Sequence, residues 1–287
     1  MAFLYVIESE TGRKDMSNLI LRLLLILFCV SFSQDVDRDR RWEDFKTKTE
    51  GYYHFLEKSE LENFKCSFTS TSYLNFIEKY QDSTYNYPLN MIWIKAGKIY
   101  FILKEYPVTD SDTARQKIMQ NIQLTKNQFH GFYLDFLNFL ILSPLSDVSE
   151  SVEYTFSEDS IKVCYSAIDS LGTEVTKIFH PSGQLYKVVV VSPTEKILNY
   201  PKYREVDDKW LCTGWDTQII QDGEIRSGIA TRLKLNKIKG FWLPVQVDFI
   251  VQTVEKPGEK FYSTLFIKNY QFNLPLQEIE NPREIKK

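Results

Sequence analysis

The chain is poor in the residues that usually announce catalysis. Only three histidines occur in 287 residues, His54, His130 and His180, and they stand far apart on different expected elements. No G-x-S-x-G turn, H-E-x-x-H helix or phosphate-binding glycine loop is present, so hydrolase and nucleotide chemistry have no anchor in the sequence. Cysteine is scarce as well. Beyond the N-terminal region only Cys66, Cys164 and Cys212 remain, widely spaced and without a C-x-x-C, which excludes a zinc ribbon or a dense disulfide framework and leaves room for one bridge. There is no basic run and the net charge is −3, which removes electrostatic support for a nucleic-acid partner. The acidic pairs Glu158-Asp159 and Asp207-Asp208 fall at turn positions, where solvated charge is the ordinary outcome. The expectation is a non-enzymatic protein with no cofactor, no metal and no catalytic residue.

What is abundant is apolar and aromatic: 20 Phe, 17 Tyr and 5 Trp. The stretch "MSNLILRLLLILFCVSFSQ" begins at Met16, places Arg22 before an apolar run, and ends with the small residues of Ser31-Phe32-Ser33. That layout predicts a secretory signal over residues 1–33 with Gln34 as the mature start. Residues 1–15 carry Glu8, Glu10 and Asp15, do not suit such a signal, and read as an over-extended start. Cys29 follows "LILF", and the bulk of Phe28 disfavours a lipoprotein signal. The implied location is periplasmic or secreted, with an envelope anchor as the alternative. Residues 34–276 then form one domain, followed by a polar tail, 277–287.

Along that domain, Trp42, Phe45, Tyr52, Tyr53, Leu56 and Leu61 recur at helical spacing over 35–62, weakened at Gly51. "NFKCSFTSTSYLNF" alternates as a half-buried strand, and "NMIWIKAGKIYFILKEYP" reads as a hairpin folded at Ala96-Gly97. After Pro107 an Asp or Ser cap opens a helix that runs to Ser143-Pro144. Everything past residue 150 is strand and turn, giving nine strands in a meander plus three before the helix. In "LPVQVDFIVQ", Val245, Val247, Phe249 and Val251 share one side while Gln246, Asp248 and Gln252 share the other, so one face is wet. The predicted fold is α+β and β-rich: a curved antiparallel sheet or unclosed β-barrel of about 10–12 strands, covered on its concave face by helices.

The segment "FHGFYLDFLNFLILSPL", 129–145, carries the functional question. From Gly131 to Leu142, nine of twelve residues are large and apolar, yet a helix of that length covers only about 18 Å and cannot cross a bilayer. Gly131, Asp135 and Asn138 form its one narrow polar stripe. The rest is buried on more than one side, either in a filled core or against a cavity. The candidate ligand-binding residues are Phe132, Phe136, Phe139 and Leu140 from this helix with Val247, Phe249 and Trp93 from the sheet. Trp210 and Trp215, five apart, face opposite sides of a regular strand, so at most one points inward. Such aromatics also suit a carbohydrate-binding module.

The order of signal, amphipathic helix, strand "ELENFKCSFTS", hairpin, helix and long meander resembles the LolA-like family. The closing "FWLPVQVDFIVQTVEKPGEKFYSTLFIKNYQFNLPL" is similar to that family's last strands, with Leu243-Pro244 opening one strand, a turn at Gly258, and Asn273 ending the last. The resemblance implies an unclosed barrel with a helical lid that carries lipids or acylated lipoproteins across the periplasm between membrane-bound donor and acceptor proteins. Arg115 is, by location, the candidate for the arginine that ties lid to barrel in such carriers. The alternative is an envelope interaction or sensor protein on the same fold with a filled core.

Overall fold

Short turns between alternating segments leave antiparallel pairing as the only economical connection, and the sheet is built that way throughout. The computed structural model describes residues 38–57, 59–80, 82–95, 98–148, 152–167, 172–255 and 258–275. The expected signal, the hairpin joint at Ala96-Gly97 and the tail 277–287 lie outside them. The chain divides into two units, Met1–Lys48 and Thr49–Lys287. In the first, residues 38–48 are helical, as the spacing predicts, with Trp42 and Phe45 in ring contact at 5.7 Å. This helix, α1, ends at residue 51, the glycine that weakens the pattern, so the expected helix over 35–62 stops eleven residues early.

The second unit holds all twelve strands. They are β1 (Asn63–Ser70), β2 (Leu89–Ile94), β3 (Lys98–Leu103), β4 (Glu153–Phe156), β5 (Ile161–Ser166), β6 (Glu174–Phe179), β7 (Leu185–Val191), β8 (Lys196–Val206), β9 (Lys209–Gln221), β10 (Glu224–Ile238), β11 (Phe241–Thr253) and β12 (Phe261–Phe272). Their order, β3-β2-β1-β12-β11-β10-β9-β8-β7-β6-β5-β4, makes one antiparallel sheet that does not close. The hairpin turns have the required chemistry: Asp207 and Asp208 both adopt positive φ (50° and 58°), as do Asp222 and Gly223 (53° and 80°).

Two helices accompany the sheet in this unit. The first, α2 (Thr71–Ile77), occupies part of the stretch whose alternation suggests strand. Ser70 explains the change: its side chain accepts from Tyr73 N and caps the helix, and Tyr73 and Ile77, four apart, are both buried. The long helix α3 (Asp112–Phe136) starts on a Ser111 cap that accepts from Ala114 N. It passes into a π-helical turn, Leu137–Ile141, closed by a bond from Leu142 N to Leu137 O of 2.8 Å. Leu142 is extended, just before Ser143-Pro144.

Cross-strand partners share a face, and the pairing shows two different ones. Phe249, Thr231, Trp215 and Pro201 stand opposite one another across β11, β10, β9 and β8. The neighbouring row on the other face is Asp248, Arg232, Gly214 and Lys202, where Asp216 pairs with Lys202 at 2.6 Å and Arg232 at 2.7 Å. This is the apolar and wet alternation expected from the strand sequences.

Candidate ligand-binding site

The apolar run of α3 meets the sheet through rings. Phe129 lies 4.3 Å from Phe68 of β1, and Phe132 lies 6.0 Å from Trp215 in a stacked arrangement and 6.2 Å from Phe249. Phe132 also stacks on Phe136 at 5.3 Å, and Phe139 of the π turn reaches Trp215 at 5.2 Å. Four of the expected residues, Phe132, Phe136, Phe139 and Phe249, are therefore brought together around Trp215. Val247 is fully buried two positions from Phe249, on the same strand face. Leu140 is buried too, but it lines a separate cavity of about 190 Å³ with His54, Phe241 and Trp242. Trp93 is not part of the seam: it is fully buried in β2 and stacks on Phe64 at 5.3 Å.

Two parts of the sequence reading are revised. Asp135 turns inward rather than joining a polar stripe, and its Oδ2 accepts the indole N–H of Trp215 at 2.7 Å. The exposed edge of the helix is instead Gly131, Leu134 and Asn138, with Leu134 54% accessible. Burial pushes the Asp135 carboxyl up to about 6, against the opposing pull of the Trp215 hydrogen bond. Trp210 and Trp215 do not fall on opposite faces either. The β8–β9 register shifts between Lys202 and Tyr203, leaving Thr213 as an extra residue, so Trp215 opposes Pro201 while Trp210 opposes Glu205. Four residues separate those partners on β8, which puts both tryptophans on one face. Trp210 serves a different cluster, 5.2 Å from Tyr53 and 5.5 Å from Tyr52.

Directional bonds hold α3 at a few points. Thr125 Oγ1 lies 2.7 Å from Ser70 Oγ. Beyond the π turn, Lys177 of β6 donates to Pro144 O at 2.8 Å and pairs with Asp147, which also accepts from Tyr165 OH at 2.5 Å. Burial lowers the Lys177 ammonium, and the Asp147 carboxylate opposes that shift. Residues 52–57 form a strap: Trp210 N donates to Tyr52 O at 2.7 Å, and Leu56 and Glu57 donate to the π-turn carbonyls of Leu140 and Ile141. Those carbonyls would otherwise be orphaned at a helix end. The Tyr133 hydroxyl, buried beside the seam, has no hydrogen-bond partner among the described residues. Arg115, the candidate tie, donates to Thr109 O at 3.4 Å, within the approach to its own helix.

Two of the three histidines make contacts away from the seam. His54 Nε2 sits 2.8 Å from Val206 O, and His180 packs on Tyr186. Cys66, Cys164 and Cys212 are free thiols, and burial pushes Cys212 up to about 12. Among the described residues no helix is long and apolar enough to cross a membrane. No family model, curated protein or solved structure matches the chain.

Asp135 was missed by sequence reasoning, and Trp215, noted only as one of two tryptophans of which at most one points inward, was not placed among the candidates. Each had a signal. A single acid inside an apolar helical run must find a donor when buried, and an indole is a donor with no acceptor role. Gly214 inside a strand marks a bulge, which cancels simple alternation beyond it.

Proposed function

We propose that the protein binds the acyl chain of a lipid or acylated lipoprotein between α3 and the sheet, as a non-enzymatic carrier in the periplasm or outside the cell. In this reading the sheet curves around the seam and the helices cover its concave face. The observation that carries it is the composition of the seam. Helix and sheet meet there through phenylalanine and tryptophan rings, with Asp135–Trp215 as the hydrogen bond among them. Rings joined this way can part and receive an apolar chain without leaving many polar groups unpaired. Ten buried methylenes would supply about 8 kcal/mol, against about 0.5–1.5 kcal/mol for each ring pair beyond its area. The reading also rests on the LolA-like resemblance drawn from the order of helix, strand, hairpin, helix and meander in the sequence.

Native mass spectrometry of residues 34–287, purified without detergent and then extracted with organic solvent, tests this. The expected result is extra mass released as phospholipid or acylated peptide, and weaker retention in Phe132→Ala. An apoprotein that also fails to bind a fluorescent fatty acid would sink the proposal. A second reading rests on the closeness of the same rings: a filled core, with the protein acting as an envelope interaction or sensor module.

A further inference from the structure

Away from the seam, three lysines converge on the opposite face of the sheet near its β3 end. Ser67 of β1 stands directly opposite Lys268 of β12 and Asn90 of β2, and Lys65 lies two residues before Ser67 on the same face. Lys104 continues the β3 side, its N–H donating to Pro88 O at 2.7 Å, and its Nζ reaches Ser67 Oγ at 3.2 Å. Ser67 Oγ in turn donates to Asn90 Oδ1 at 2.8 Å. The Lys268 ammonium sits 3.6 Å from the centre of the Tyr87 ring. Among the described residues none of these three lysines has an ion-pair partner; Lys104 meets a hydroxyl and Lys268 a ring. Burial first, then the charges of Lys268 and Lys65, lower the Lys104 ammonium.

Lys104 also borders a cavity of about 700 Å³, whose wall includes Tyr85, Leu103, Tyr106, Val108 and Arg115. Glu105 is the carboxylate in that wall, set against the two cations Lys104 and Arg115. The half-buried Lys104 ammonium, with Lys65 and Lys268 as like charges nearby, stands beside a partly apolar wall. One molecule with an oxyanion at the end of an apolar body would satisfy both.

We propose that this corner binds an oxyanion-headed amphiphile, with the head among Lys65, Lys104 and Lys268 and the apolar body in the cavity lined by Tyr85, Leu103 and Tyr106. The oxyanion is a phosphate or a carboxylate, in either case acceptor-only chemistry that three ammonium donors recognise. The cavity touches α3 at Arg115 but none of the seam rings lines it, and the site does not depend on cargo there.

Isothermal titration calorimetry at low salt, with dodecyl phosphate below its micellar range, inorganic phosphate and dodecanol, is the test. Dodecyl phosphate is expected to bind, at least roughly tenfold more tightly than inorganic phosphate, with affinity falling as salt rises. The double variant Lys104→Gln/Lys268→Gln is expected to lose roughly tenfold or more while keeping or raising its melting temperature, because like-charge repulsion is removed. Phe132→Ala, which addresses the seam, leaves this binding unchanged, so the two readings fail separately. Three results would each overturn the proposal: no binding of dodecyl phosphate, binding indifferent to the two lysine changes, or inorganic phosphate binding as tightly as the amphiphile.

Discussion

A carboxylate facing a single indole N–H is a costly place to hold a charge, and Asp135 occupies it. Its folded-state value, near 6, lies above the ordinary 3.8, so folding favours the protonated form. The stability this contributes is complete below about pH 4 and disappears as the pH rises through 6, the reverse of a salt-bridged aspartate. Asp135→Asn keeps an acceptor for Trp215 and removes the charge. It should raise stability at pH 8 by up to roughly 2–3 kcal/mol and change little at pH 4. Paired urea titrations at the two pH values read the difference; equal effects at both would exclude the buried charge. At this scale the sequence made the phenylalanines legible but not the orientation of Asp135. Gly131, Leu134, Asp135 and Asn138 lie within one arc of the helix, and only the Trp215 donor decides which of them turns in.

Among elements, β9 departs most from regularity and carries the most consequence. Gly214, beside the extra residue Thr213, has φ 148°, and a Cβ there would lie 2.2 Å from Thr231 O. Backbone, not a pliable side chain, blocks it. Gly214→Ala should cost about 3 kcal/mol and shift the indole of Trp215, visible as a change in tryptophan emission. The anchor beyond the π turn is equally specific. Asp147→Asn leaves the buried Lys177 ammonium without its carboxylate and should cost about 2–3 kcal/mol in thermal or urea unfolding. An unchanged midpoint would show that the Pro144 carbonyl alone satisfies the lysine. Most elements were legible in the sequence because period and turn residues agree; the exceptions are α1, which ends at Gly51 short of its expected span, and α2, which arose where a Ser70 cap outweighed a short alternating pattern.

For the whole molecule, nine strands after residue 150 and three before the long helix were readable, since each hairpin is signalled by its own turn. The seam between β1 and β12 was not. Nothing local in "NFKCSFTS" announces that Ser67 will meet Lys268 or that Phe68 will meet Ile267. Such a pairing depends on closing a long loop, and its entropy cost must be met before any contact rewards it.

That one junction sets a schedule for the growing chain. The β1–β2–β3 group is made early, but its neighbour on the meander side is the last strand of the sheet. Phe64, Cys66 and Phe68 therefore lack β12 until synthesis reaches residues 261–272. A chain halted short of that point carries an N-terminal apolar hairpin with an open edge, the kind of surface a holding chaperone must cover.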